Sequence, residues 1–178
     1  MTPRLAPGSR RELGLPMWVF ARLAGRKMGT RPPAIFLTLG RNRRLFRGWL
    51  HFASTLMPGG RLPRRETELV ILRVASLAGS DSERSHHERL GRRVGLTAAE
   101  LERVRRGPEV EGWSARDRLL LAATDELHHT RDLSDETWSA LSAELDEPTR
   151  LELLMLVGHY EMLATTLNTL RLRPDPPR

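Results

Sequence analysis

Residues 65–87 read RETELVILRVASLAGSDSERSHH, and this stretch decides the fold of the chain. Its first half is largely apolar, contains no proline and ends at Gly79, a residue type that commonly ends helices. Its second half opens with serines and acids, which favour the start of a new helix. Because the turn between the halves is short, we expect two helices packed against each other as an antiparallel hairpin.

The rest of the chain also has the pattern of helices. Apolar residues recur at spacings of three and four, long alternating strand patterns are missing, and aromatic residues make up 5%. Proline, glycine and capping residues divide the chain into segments; Thr97 and Glu100, for example, have the spacing of a capping box. We therefore predict an all-α fold of eight or nine helices.

A single domain accounts for the length of 178 residues. We predict one helical domain over residues 17–171. A flexible basic lead, punctuated by proline and glycine, occupies residues 1–16, and a frayed tail, LRPDPPR, occupies residues 172–178.

The composition argues against several classes of protein. No apolar run approaches the roughly 18 to 20 residues of a membrane-spanning helix, and we see no signal peptide, so we expect a cytoplasmic protein. The chain has no cysteine, which excludes disulfides, thiolate metal ligands and thiol redox chemistry. The net charge of +7 comes almost wholly from arginines scattered among acids, so we expect neither nucleic acid nor membrane as a partner.

The hairpin brings candidate acid–base residues together. Glu83 and His87 are four residues apart and share a helix face, and Glu68 on the preceding helix could reach the imidazole. A carboxylate and a histidine held in a partly dry cleft are a common arrangement for proton transfer. The residues equally allow a structural interpretation, in which the acids lie in a first helical turn and His86 or His87 makes an interhelical hydrogen bond.

The order of these residues resembles the core motif of the carboxymuconolactone decarboxylase and alkyl hydroperoxidase D-like (AhpD-like) family. In its peroxidase branch, a CxxC pair begins twelve residues after a glutamate, and a histidine follows four residues beyond the second cysteine. Counting from Glu68, those positions are Ser80, Glu83 and His87, so both cysteines are replaced. GSDSERSHH is also similar to the pattern G-S-E-Y-E-W-x-x-H of a second branch, and collinear segments such as PPAIFLTLGRN, LSDETWSAL and LELLMLVGHYEMLATTLN extend this resemblance over most of the chain.

The resemblance implies an AhpD-like helical fold, a small-molecule substrate and a homo-oligomer, with trimer, hexamer and dimer as candidate states. It implies decarboxylase or lactone-type chemistry on a small acidic substrate, without a cofactor. His87 would be the proton donor, Glu68 would set its tautomer and charge, and Glu83 would lie beside it. Arg73 or Arg84 would anchor the carboxylate of the substrate. Peroxidase activity is not expected, because that mechanism requires a thiolate.

Four further residues complete the predicted substrate-binding set. Ser80 and His86 belong to the motif itself. His159 and Tyr160 lie in an apolar helix beside Gly158, where they could line the same pocket or simply belong to the core. The other large aromatic residues are predicted to be core or interface anchors, namely Trp49, Trp113 and Trp138.

Three alternatives stay open at this point. The chain could be a peroxidase-related family member that has lost its redox pair, or a non-catalytic oligomeric binder of small ligands. It could also hold two metal ions, because two ExxH spacings occur in the sequence, as in di-iron helical bundles. The ligands would be Glu83 with His86 and Glu126 with His129, joined by Glu68 and by Glu152 or Glu161. Because ExxH arises easily in a chain with six histidines and many glutamates, we predict no metal site.

Overall fold

The computed structural model describes residues 2–176, which form ten α-helices and no β-strand. The helices are α1 (Arg10–Leu13), α2 (Leu15–Met28), α3 (Ala34–Leu39), α4 (Arg43–Leu56), α5 (Arg64–Leu77), α6 (Asp81–Arg93), α7 (Ala98–Arg106), α8 (Ala115–Thr130), α9 (Asp135–Glu144) and α10 (Glu147–Leu170). The predicted all-α fold class is confirmed.

The helix count is ten rather than eight or nine because of α1, a single turn inside the predicted lead. Ser9 and Glu12 form a capping box, in which the Ser9 amide donates to Glu12 Oε2 at 2.8 Å. The predicted lead, 1–16, thus contains α1 and the first two residues of α2. Its first residue, Met1, and the last two residues of the predicted tail, 177–178, lie outside the described residues.

Helix α5 lies at the centre of the molecule, and α6, α7, α8 and α10 pack around it. Residues 67–75 of α5 are all buried, so the helix is covered on every side. One side, which includes Ile71 and Val74, joins the core formed with α8, α9 and α10. The other side, with Leu69 and Leu72, packs against a second cluster between α5, α7 and α8.

The turn between α5 and α6 fixes the register of the hairpin. Gly79 has a φ of 60°, in the left-handed region that glycine adopts most easily, and the Ser80 amide donates to Ala75 O at 2.9 Å. Helix α6 then begins at Asp81. Glu68 lies eleven residues before Gly79 and His87 eight residues after it, and the two side chains face each other across the hairpin.

The chain beyond α10 does not leave the domain at once. Asp175 accepts a hydrogen bond from the Ala34 amide at 2.9 Å, which connects the described part of the tail to the start of α3. The Ser82 hydroxyl donates to Arg173 O at 3.4 Å. The tail therefore reaches the hairpin and α3, on the side where the candidate site lies.

The surface carries features that bear on the predicted partners. Within the described residues, no helix is long and apolar enough to cross a membrane. Helix α10 exposes Leu151, Met155 and Met162, each by 52% or more. Such residues are compatible with contact between subunits, and the predicted homo-oligomer stays a prediction.

Candidate functional site

His87 lies at the centre of the site, between two carboxylates. Its Nδ1 is 2.7 Å from Glu68 Oε2 on α5, and its Nε2 is 3.4 Å from Glu83 Oε2, one turn earlier on α6. The three side chains are buried: Glu68 is 0%, His87 3% and Glu83 7% exposed. The contact with Glu83 is an ion-pair distance without hydrogen-bond geometry, and Glu83 Oε2 accepts no hydrogen bond.

This environment changes the protonation of His87. Burial by itself disfavours the charged ring and lowers its pKa, but the Glu68 and Glu83 carboxylates outweigh that effect and raise the pKa to about 9. The ring is therefore an imidazolium at neutral pH, with Nδ1–H donating to Glu68 and Nε2–H on the side of Glu83. A histidine held in this state can give up a proton.

A second cation holds Glu68 from its other oxygen. Arg64, one turn earlier on α5, donates from Nη2 to Glu68 Oε1 at 2.7 Å. Glu68 thus contacts two cations, the Arg64 guanidinium and the His87 imidazolium. Buried carboxylates usually persist only where such partners compensate for the loss of water, so Glu68 is fixed in place.

A cavity of about 190 Å³ opens beside His87. Its wall is mostly apolar and comes from six parts of the fold: α2, α3 and its approach, α4, α6, α10 and the tail. The polar and aromatic lining includes Phe36, Trp49, Ser82, Glu83, His86, His87, His159, Tyr160 and Asp175. Mostly apolar walls with a few convergent polar groups are typical of small-molecule sites.

The structure brings three of the predicted binding residues to this cavity: His86, His159 and Tyr160. The ring of Tyr160 meets His87 edge-on, at 5.1 Å between centroids, and the ring of His159 stacks on Trp49 at 6.2 Å. His159 Nδ1 and Trp49 Nε1 are buried without a hydrogen-bond partner. These residues thus belong to the wall of the candidate site rather than to the core alone.

The other two histidines of the cavity wall, His86 and His159, are neutral at pH 7. Burial, the charged ring of His87 and the arginines Arg89 and Arg93 lower the pKa of His86 to about 3. Burial also lowers the pKa of His159; Glu83 opposes that change and His87 adds to it. Burial, reinforced by Glu83 and Glu68, raises the pKa of Tyr160 well above its usual value of 10, so its hydroxyl keeps its proton.

Three other predicted binding residues do not line the cavity. Arg73 forms a two-pronged ion pair with Asp125 at 2.5 and 2.6 Å and also donates to backbone carbonyls of α7. Arg84 pairs with Asp81 at 2.5 Å on the outer face of α6. Ser80 is buried at the start of α6, and its hydroxyl has no hydrogen-bond partner. The predicted arginine anchors are therefore used for folding contacts.

Three glutamates of the alternative metal site, Glu126, Glu152 and Glu161, have partners outside the Glu68–His87–Glu83 group. Glu126 bonds to Ser134 and Thr137 at the start of α9, and Glu152 accepts from the Arg61 and Leu62 amides. Glu161 Oε1 lies 2.5 Å from His128 Nδ1. Within residues 2–176, no group of three or more potential ligands could hold a metal ion.

Sequence reasoning missed three contributors to the site. Arg64 could have been found, because it precedes Glu68 by one helical turn. Trp49 was predicted as an anchor, and its second role in the cavity wall depends on how α4 packs against α10. Asp175 belongs to the predicted frayed tail, and nothing near it in the sequence signals a contact with Ala34, 141 residues away.

Comparisons with known proteins agree with this fold. Solved structures that resemble the chain include peroxidase-related proteins of Silicibacter sp. TM1040, at 14% identity, and of Ralstonia eutropha JMP134, described as an alkylhydroperoxidase AhpD core, at 18% identity. Both have a TM-score of 0.83. The Silicibacter match covers 98% of this chain and 94% of that protein, and the Ralstonia match covers 97% and 92%. The protein thus has the all-α, AhpD-like fold.

A protein-family model matches the hairpin and the helices next to it in the sequence. The model of the carboxymuconolactone decarboxylase family matches residues 43–126, which include α4 to α7 and most of α8. Residues 43–126 are thus similar to this family, and the solved structures share the AhpD-like fold with the chain. No curated protein sequence matches the chain significantly.

One similar structure contains a ligand. It is a cysteine-to-alanine variant of the debrominase Bmp8 in complex with 2,3,4-tribromopyrrole, with a TM-score of 0.79 and 16% identity, covering 97% of this chain and 92% of its own. The present chain shares the fold with that protein but contains no cysteine.

Proposed function

We propose that the protein is an acid–base enzyme that acts on a small molecule in the cavity beside His87. The observation that carries this proposal is the buried Glu68–His87–Glu83 group, with distances of 2.7 and 3.4 Å, of which His87 and Glu83 lie in the wall of that cavity. An imidazolium with a fixed orientation and a neighbouring carboxylate supply a proton donor and a proton acceptor within one site.

The arrangement suits lactone-type chemistry, in which a proton moves between carbon and oxygen beside a carbonyl group. Glu83 would accept the proton from the carbon next to the carbonyl, while His87 Nε2–H would donate its proton to the carbonyl oxygen. The product of this step is an enol, with Glu83 protonated and His87 neutral. The reverse transfers, at the same or a conjugated carbon, restore both residues and complete an exchange or isomerisation.

Glu68 would act through His87 rather than on the substrate. Its Oε2 holds His87 Nδ1, and Arg64 fixes its other oxygen, so the imidazole keeps one orientation. Decarboxylation is the less favoured version of this chemistry. It would need a cation for the carboxylate of the substrate, and Arg73 and Arg84 are held in ion pairs outside the cavity.

The experiment that tests the proposal is exchange of carbon-bound hydrogen for deuterium in D₂O, followed by ¹H NMR on a panel of uncharged unsaturated lactones. The wild-type protein should accelerate exchange beside the carbonyl of at least one of them. His87→Gln should lower that rate by a factor of about 100 or more, in the range that general acid–base groups contribute. Glu83→Gln should cause a comparable loss.

The matched control is His128→Gln, which changes a histidine that also pairs with a glutamate but lies outside the cavity. This variant should exchange at the wild-type rate. Wild-type rates in a folded His87→Gln variant, or no exchange of any lactone by the wild-type protein, would contradict the proposal. A protein that binds ring compounds in the cavity without exchange would be a small-ligand binder instead.

A further inference from the structure

We infer that the cavity beside His87 selects uncharged, ring-sized molecules that carry a hydrogen-bond donor, and that it rejects carboxylates. This inference deepens the proposed function and rests on it in one respect: it takes the cavity as the place of reaction. It departs from the sequence-based expectation of an acidic substrate.

The first support is the shape and surface of the cavity. A volume of about 190 Å³ accommodates a single ring with a small substituent. The rings of Phe36, Trp49, His159 and Tyr160 contribute to the wall, together with aliphatic residues such as Ile35 and Leu163. Flat aromatic surfaces of this kind favour a flat, apolar ligand, which gains from burial and ring contacts.

The second support is the charge of the lining. Among residues 2–176, which the structure describes, no arginine or lysine lines the cavity, and the acidic residues in its wall are Glu83 and Asp175. Its one charged histidine, His87, already faces two carboxylates at 2.7 and 3.4 Å. An entering carboxylate would lose its water and meet Glu83 without a free cation in exchange, which is a costly combination.

The neighbouring cations do not change this balance. Arg64 is bound to Glu68, and Arg89 donates to the Ser85 hydroxyl at 3.1 Å from the side of α6. The other two histidines of the wall, His86 and His159, are neutral and supply no cation. Asp175 accepts a hydrogen bond from the Ala34 amide, and its burial raises its pKa, against the opposing effects of that hydrogen bond and of Arg89.

The third support is a set of buried polar atoms without hydrogen-bond partners. Glu83 Oε2, Trp49 Nε1 and His159 Nδ1 all belong to residues that line the cavity, and none makes a hydrogen bond. Buried polar atoms are nearly always paired in folded proteins, so three exceptions around one cavity suggest a missing ligand. The complement is a neutral molecule with an N–H or O–H for Glu83 and an acceptor for the indole N–H of Trp49.

The test compares two probes of the same shape, benzamide and benzoate, near neutral pH, where benzoate is fully ionised. Calorimetry gives the dissociation constants, and the indole N–H signal of Trp49 in ¹H–¹⁵N NMR locates the site. Trp49→Phe assigns that signal among the four tryptophans. Benzamide should shift the signal and bind at least about tenfold more tightly than benzoate, a ratio worth roughly 1.4 kcal/mol.

Two variants show whether Glu83 causes the discrimination. Glu83→Gln removes the negative charge and keeps the size, so the two probes should then bind within about threefold of each other, a difference below 1 kcal/mol. The control Glu102→Gln removes an exposed acid outside the cavity, which pairs with Arg105, and should keep the wild-type ratio.

The outcomes separate this inference from the proposed function. Equal or tighter binding of benzoate by the wild-type protein, or no shift of the Trp49 signal by benzamide at millimolar concentration, would overturn the inference. A protein that exchanges lactone hydrogens but binds both probes equally keeps the proposed function and loses the inference. A protein that binds benzamide selectively but exchanges no lactone hydrogens keeps the inference and loses the proposed function.

Discussion

The molecule contains two histidine–glutamate pairs that differ mainly in their surroundings. His87 and Glu68 connect α6 to α5, with 2.7 Å between Nδ1 and Oε2, and are 3% and 0% exposed in their side chains. His128 and Glu161 connect α8 to α10, with 2.5 Å between Nδ1 and Oε1, and are 19% and 16% exposed. Similar contacts therefore occur in a buried site and near the surface.

The difference shows what converts an ion pair into a candidate catalytic group. The buried pair has a second carboxylate, Glu83, on the free nitrogen of the histidine, and it borders a cavity of about 190 Å³. In both pairs an arginine contacts the other glutamate oxygen, Arg64 at 2.7 Å from Glu68 and Arg131 at 3.6 Å from Glu161, but the pair near the surface does not line that cavity. Removal from water and a second acid, rather than the pair itself, distinguish the site.

The largest expected effect comes from removing the glutamate of each pair. Glu68→Ala leaves the His87 imidazolium and Arg64 without their shared carboxylate, and breaking a buried pair in this way costs about 3 to 5 kcal/mol of unfolding free energy. Glu161→Ala breaks a partly exposed pair and should cost about 1 kcal/mol or less. Chemical denaturation of both variants measures the two losses, and equal losses would show that burial does not separate the pairs.

The next effect is the pH dependence of stability. The pKa of His87 is raised from 6.5 to about 9, so its contribution is complete below pH 6.5 and is lost as the pH rises toward 9. The unfolding free energy should therefore fall across this window, by an amount on the order of 3 kcal/mol.

Variants assign that slope to one of the two pairs. His87→Gln should remove most of it, because this buried ring faces two carboxylates, and His128→Gln is the comparison variant. Denaturant titrations between pH 6 and 9 provide the measurement. A slope that survives in folded His87→Gln but disappears in His128→Gln would reverse the comparison.

The smallest effect concerns His86, the neighbour of His87. The pKa of His86 is lowered to about 3, chiefly by burial and then by the charge of His87. The unfolded chain therefore binds a proton below pH 6.5 that the folded state does not, and stability falls as the pH decreases from 6.5. Because His86 is only partly buried, we expect a loss on the order of 1 kcal/mol.

His86→Gln should flatten this acid limb and leave the alkaline slope in place. The same denaturant titrations, extended to pH 4, measure it. If the acid limb is identical in wild type and His86→Gln, the ring of His86 titrates as it does in water.

The parts of the fold that sequence reasoning predicted are those with local signals. The predicted capping box of Thr97 and Glu100 appears at the start of α7, and the same kind of local signal places Ser114 and Ser134 at the caps of α8 and α9. The site pair was also predictable, because the position of Gly79 sets the register of the hairpin. Glu68 and His87 then face each other without any further contact being known.

The parts that were not predictable depend on contacts between distant segments. The sequence offers Arg73 as an anchor for an anion, but Asp125, 52 residues away, pairs with it. Arg84 differs, because its partner Asp81 is only three residues away. The sequence shows that a residue is an arginine but does not show whether an ion pair within the protein already engages it. The cavity wall likewise requires α4, α10 and the tail to meet. Trp49 on α4 is more than a hundred residues from both His159 on α10 and Asp175 in the tail.

The most direct test of the central claim is an NMR titration of the six histidines in the wild-type protein, His87→Gln and Glu68→Gln. The account predicts one imidazole with a pKa near 9, whose signal is absent in His87→Gln and whose pKa falls in Glu68→Gln. If instead every histidine of the wild-type protein titrates at or below pH 7, His87 is not an imidazolium held between two carboxylates, and its role as the proton donor is contradicted.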